Sequence, residues 1–392
     1  MRYFLADYIQ SIVHSLNMED IMKKSDTLHI HGEPSLVIGD ETARLTCTQR
    51  GGHVRIDVRG TDGQWHSPYS LPPWQPADEP AMPPLLQILR GDFFCFPFGV
   101  TEGSAYPHGE TANRTWRVES TEGHAARLVL ELEEMPGCVT KILRFDPASA
   151  VLLQEHVIEG VDGTFNYGHH PILTVPEGKR GLLSASPIRF GQVHADYAAA
   201  EAGEKSSLKN GARFDSLDEV DCADGSTSTL AEFPVRPASE DLVMFAAAGS
   251  GMAWNAMSIP GYLWISLRRV NDFPSSLFWM SNGGRPQPPW NGKHTGRIGI
   301  EDVCSYFDKG AHISRRGLLD DEGIPTSRVF RADTPVRLPH LQAVIPRTKN
   351  VRVTAIELVE AQSAVHITFA DGTDHTLQIP EAFPGALAPD VS

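Results

Sequence analysis

Three stretches concentrate histidine, carboxylate and arginine side chains among aromatic residues. They are LRGDFFCFPFGVTEGSAYPHGETANRTW, with Arg90 and His108; FNYGHHPILTV, with His169 and His170; and WNGKHTGRIGIEDVCSYF, with His294 and Glu301. Imidazole, with an unperturbed pKa of about 6.5, is the natural proton donor near neutrality. Pro171 pushes His170 toward extended backbone, and neighbours in an extended chain point to opposite faces. Only one of His169 and His170 then faces a given pocket, unless the chain bends; the other reading makes both hydrogen-bonded packing residues. Glu301 lies within or at the end of a strand, between Ile300 and Val303. Partial desolvation there would raise its pKa and suit it to general-base work; the alternative is an outward-facing carboxylate on an edge strand. Arg90 carries a rigid fork of donors for hydroxyls or a carboxylate, or else a surface ion pair. His108 sits between Pro107 and Gly109, where the backbone is tightly specified. Trp116, Trp279 and Trp290 can stack on a ring or pack a core.

Other chemistry finds little support. His29 and His31 share one face of a possible strand, but no nearby Cys or carboxylate completes a metal site. No G-x-S-x-G, Walker A or dinucleotide fingerprint follows a strand in the required way. The five cysteines are odd in number and widely spaced, without C-x-x-C, so they read as reduced and structural in a cytoplasmic protein. A net charge of −15 argues against nucleic acid and anionic membranes as partners. No apolar run approaches the roughly 18 residues a membrane helix needs.

These residues must be positioned by β-structure. After residue 27, short runs such as ARLTCTQ, HVRIDVRG, CVTKILRF, AVLLQEHVIEG, SSLFWMSN and RIGIEDVCSYF recur between turns, several of them alternating apolar with polar. FADGTDHTLQI carries the Asp-Gly signal of a tight hairpin. The pattern predicts a mainly β chain with a large antiparallel sandwich or related fold over 27–385. Residues 1–26 read as an amphipathic helical appendage, docked on the body or on a second subunit of a homodimer, and 386–392 as a tail. The proline-dense Leu71–Pro84 reads as a rim loop or surface excursion, and the polar stretch 201–229 as a mobile insertion.

Taken together, the three stretches resemble the aldose 1-epimerase (galactose mutarotase-like) superfamily. LRGDFFCFPFG looks like the family's Arg-Gly-Gly followed by a Cys/Phe-Pro-aromatic-Gly run, two residues shorter here. HGETANRTW keeps His108, Gly109, Asn113 and Trp116 of a His-Gly-Phe-Ala-Arg-Asn-x-x-Trp segment. YGHHPIL is similar to the His-Pro segment bearing the catalytic histidine, and RIGIEDV to the late strand bearing the catalytic glutamate. The resemblance covers roughly residues 35–375 and implies a mutarotase-type β-sandwich with a small-molecule carbohydrate in an open cleft on one sheet. It implies Glu301 as base on the anomeric hydroxyl and His170 as acid on the ring oxygen. Arg90, His108, His169, Asn113 and Trp279 would be sugar-binding, with no metal or organic cofactor. Three departures bear on the substrate: Asp302 follows Glu301 where the family has Pro, Glu110 replaces Phe, and Ala112 replaces Arg. Two other readings stay open: a carbohydrate-binding protein without turnover, and a glycoside hydrolase or lyase in which Asp92, Glu110 or Asp302 supplies a second carboxylate.

Overall fold

Many strands here are buried on both faces, and the layering of the sheets explains why. The structure, a computed structural model, describes residues 28–381 apart from 31, 61, 76–81 and 101, together with residue 383. The expected helix within 1–26 and the tail 386–392 lie outside the described residues.

One large antiparallel sheet runs Glu232–Phe233, Gly181–Ala185, Met252–Ile259, Gly261–Arg269, Val336–Arg347, Val151–Glu159, Cys138–Asp146, Ala125–Glu131, Arg117–Glu122. A second runs Arg213–Phe214, Ile188–Val193, Ser239–Ala247, Ser275–Asn282, Arg297–Cys304, Tyr167–His169, Phe94–Cys95, with Ile172–Thr174 also paired to Arg297–Cys304. A five-stranded sheet spanning residues 28–66 adjoins the second at the bridge between Val54 and Asp92. Period-two alternation sends Phe278, Ile298 and Ile300 inward to meet Leu143, Leu152, Trp264 and Leu338 from the first sheet. The fold is the expected large antiparallel β-sandwich.

Each sheet's outer face is covered in turn. A meander of Val353–Val359, Ala364–Phe369 and Asp374–Gln378 lays Ile356, Val365 and Ile367 over Leu263, Ile265 and Leu341. Its second hairpin is the FADGTDHTLQI turn. On the outer face of the second sheet, Leu242, Leu277, Trp279 and Val303 are covered by Trp74, Met82, Leu85 and Trp290. The proline-dense segment is therefore no simple excursion: Trp74 and Met82 are buried, and Trp74 meets Trp290 edge-on at 4.8 Å. The polar stretch 201–229 is likewise anchored, because Leu208, Phe214, Leu217 and Val220 enter the core.

Candidate active site

Alternation along Arg297–Cys304 decides which carboxylate faces which way. Ile298, Ile300 and Asp302 point into the sandwich; Glu301 and Val303 point out. The neighbouring Tyr167–His169 strand does the same, so His169 faces in and His170 faces out. Oε1 of Glu301 then lies 3.3 Å from Nε2 of His170. Gly299, two residues before Glu301 on the same face, makes room for it: a Cβ there would come within 2.5 Å of Glu301 Oε1.

The His170 ring is held in a stack. Phe93 lies parallel to it at 4.6 Å, and His53 parallel to Phe93 at 4.5 Å. His170 is met edge-on by His108 at 5.0 Å and by Trp279 at 5.8 Å. His108 adopts φ 61°, a conformation uncommon for a residue with a Cβ. Asn113 stabilises that turn by donating from Nδ2 to the carbonyls of Pro107 (2.6 Å) and Gly109 (2.8 Å).

The electrostatics favour uncharged forms. Burial, then the negative charges of Asp308 and Asp302, push Glu301 well above the usual carboxylate range. Burial, then His108, pushes His170 well below the usual imidazole range. His108 is lowered to about 4 by burial, against the pull of Asp308. Beside them, Trp279 Nε1 donates to Glu240 Oε1 (2.6 Å), and Ser281 donates to Glu240 Oε2 (2.9 Å). Burial lifts Glu240 to about 7, with Arg285 opposing. Arg285 packs over Trp290 and lies within 3.6 Å of both Glu204 and Glu240.

Not every expected site residue reaches this group. Glu301, His170, His108 and Trp279 come together. His169 is a correction: it is fully buried on the inner face, where Nδ1 donates to Asp92 Oδ2 (3.0 Å), because strand alternation turns it away from His170. Asn113 is committed to the His108 turn. Arg90 is buried, donates from Nε to the Ile88 carbonyl (3.1 Å), and shares its electrostatic surroundings with Glu33, Arg50 and Arg55. The open cleft is also corrected, since aromatic and aliphatic side chains cover the pair: His170 is 6% exposed and Glu301 2%. Sequence reasoning gave no role to Glu240, Asp308 or the Phe93 stack; Glu240 stands in SEDLVMFAA, a run without any motif. Among the described residues, Asp92, His169 and His340 cluster closely enough to suggest a metal site. The rings of His169 and His340, however, stack at 4.0 Å and 12°, so a single ion cannot lie in both ring planes.

No model of a known protein family matches this chain, and no curated protein matches it significantly in sequence. Solved structures match it in fold. A candidate aldose 1-epimerase of Escherichia coli K12 shares 15% identity at a TM-score of 0.53, over 80% of this chain and 99% of that one. A galactose mutarotase related enzyme of Lactobacillus acidophilus shares 14% at a TM-score of 0.50, over 81% and 99%. A galactose mutarotase-like protein of Clostridium acetobutylicum shares 12% at a TM-score of 0.50, over 82% and 97%. At these identities the likeness concerns architecture, and the architecture of this chain is that of the galactose mutarotase-like proteins.

Proposed function

We propose that the chain is an aldose 1-epimerase-like isomerase that interconverts the anomers of an uncharged sugar by acid–base ring opening. The observation that carries this reading is the Glu301–His170 pair, 3.3 Å apart on one outer sheet face. Burial pushes Glu301 up and His170 down, which biases the two groups toward holding one proton between them. Ring opening needs that complement: one group takes the proton of the anomeric hydroxyl while the other protonates the ring oxygen. In the resting pair that proton favours Glu301. Passed across the 3.3 Å contact to His170, it leaves Glu301 a carboxylate. Glu301 then takes the anomeric proton while His170 protonates the ring oxygen of a sugar lying against both groups; the aldehyde rotates, and closure reverses both transfers. Nδ1 of His170 is buried without a hydrogen-bond partner among the described residues, a polar group that a substrate hydroxyl would satisfy. His108 and Trp279 flank the ring.

Of the cations that a phosphate might use, Arg285 is already shared between Glu204 and Glu240, which favours a free sugar, while Lys293 and Arg297 are the remaining candidates for a phosphosugar. The glycosidase reading loses its proposed second carboxylates. Asp92 and Asp302 face inward, and Glu110 accepts the backbone N–H groups of Glu133 and Glu134 and the guanidinium of Arg114.

The test is anomer exchange followed by NMR over a panel of aldoses and their 6-phosphates. Wild type should accelerate exchange for a free aldose, and Glu301→Gln and His170→Asn should each reduce kcat on the order of 10²-fold or more. Sugar binding without exchange above the buffer rate would replace this reading with a carbohydrate-binding protein.

A further inference from the structure

The space between the two large sheets, directly behind the candidate catalytic pair, is not apolar. Asp92, Gln154, His169, Asp302, His340 and Gln342 are all fully buried there. Asp92 accepts from Gln154 Nε2 (2.6 Å), Gln342 Nε2 (2.7 Å) and His169 Nδ1 (3.0 Å) through Oδ2. Asp302 accepts from Asn255 Nδ2 (2.7 Å), Ser266 (2.7 Å), Ser276 (3.0 Å) and His340 Nε2 (2.8 Å), and pairs with Arg268 at 2.9 Å. The two carboxylate–imidazole pairs meet through the parallel rings of His169 and His340. His169 and Asp302 are also direct partners across the strand ladder.

Two features tie this interior group to the outer face. Oδ1 of Asp92, its remaining oxygen, accepts the backbone N–H of His170 at 3.0 Å, an N–H it shares with the Phe93 carbonyl at 2.9 Å, and Asp302 is the residue after Glu301. Desolvating two carboxylates costs several kcal/mol each unless they are fully bonded, and well-packed apolar residues of similar volume are often as stable. Stability alone therefore does not account for the group; orientation does.

We propose that the pairs Asp92–His169 and Asp302–His340 form a positioning clamp, in which Asp92 aims His170 and the stacked imidazoles lock its segment against the strand carrying Glu301. This inference rests on the acid–base reading of that pair. Asp92 and Asp302 are positioning residues: neither reaches the outer face where a sugar would lie.

Asp92→Asn tests the clamp, because it keeps the size and places an amide among groups that all donate. The expected result is a folded protein whose exchange kcat falls on the order of 10²-fold with KM little changed, since a displacement of about 1 Å costs that much. The His170 ring, followed by NMR on histidine-labelled protein, should also titrate at lower pH than in wild type, because a nearby negative charge is lost. Glu301, His108 and, behind Phe93, His53 also face that ring and are untouched by the substitution. A folded variant with wild-type kcat and wild-type His170 titration would overturn the proposal. Should Asp92→Asn not fold, wild type still decides: because the His170 amide also faces the Phe93 carbonyl, a through-hydrogen-bond NMR coupling from that amide to the Asp92 carboxylate carbon must be present, and coupling to the Phe93 carbonyl alone would refute the contact. Absence of exchange with every sugar would remove the epimerase reading, yet both His170 measurements would still judge the clamp.

Discussion

Glu301 and His170 are each biased toward the uncharged form because their surroundings penalise charge. Asp308 contributes to this from the surface side: its charge is the largest influence on Glu301 after burial. The sign of its removal follows directly. Without that negative neighbour, Glu301 ionises more easily, its pKa falls, and the one-proton state of the pair ends at lower pH. Asp308→Asn should therefore move the alkaline limb of the kcat/KM profile to lower pH, while the acid limb, set by protonation of His170, shifts less. A pH–rate profile across both limbs checks this, read as macroscopic values of the coupled pair. The identities of the two residues were legible in the sequence; their contact was not, since 131 positions separate His170 from Glu301.

At the scale of elements, the 96–116 segment shows how turn chemistry serves a site. Glu110, out of place against the family motif, ties this segment to the 131–134 turn by accepting two backbone N–H groups and an arginine. Asn113, expected to touch sugar, instead fastens the turn that presents His108. Replacing Asn113 with Ala leaves the Pro107 and Gly109 carbonyls without this donor and should cost about 1–3 kcal/mol in urea unfolding. As His108 loses its turn, KM should rise more than kcat falls, which initial-rate kinetics on the same variant would show. Strand recognition was good where β-branched residues alternate, as in HVRIDVRG. The signal is weaker in SEDLVMFAA and MAWNAMSI, which form strands buried on both faces and so have no exposed side to alternate with. Val336–Arg347 hid for another reason, because Pro339 interrupts it.

At the scale of the molecule, four apolar surfaces are stacked: the C-terminal meander, the two large sheets, and the aromatic cover over the candidate site. The meander is integral to this stack, since Ile367 is fully buried against the outer face of the first sheet. Ile367→Ala should lower stability by about 2–5 kcal/mol, measured by denaturant unfolding. Anomer exchange should keep its wild-type kcat, because the layer that carries Glu301 and His170 lies on the other side of the sandwich.

The sequence by itself determined a mainly β chain, the hairpin at Asp371-Gly372, and the residue types needed for proton transfer. These are local properties: period-two alternation, turn residues and side-chain chemistry are written in short windows. Alternation next to Pro171 also determined that only one of His169 and His170 could face a pocket, without saying which. Only the tertiary structure decided that His170 is the one on the outer face beside Glu301, and that His169 turns inward to Asp92 and His340. It also decided that Asp302, a departure from the family pattern, is satisfied between the sheets by residues from four other strands. Burial depends on what the rest of the chain brings to a residue. An Asp or His that would be exposed in one fold becomes an interior structural group in another.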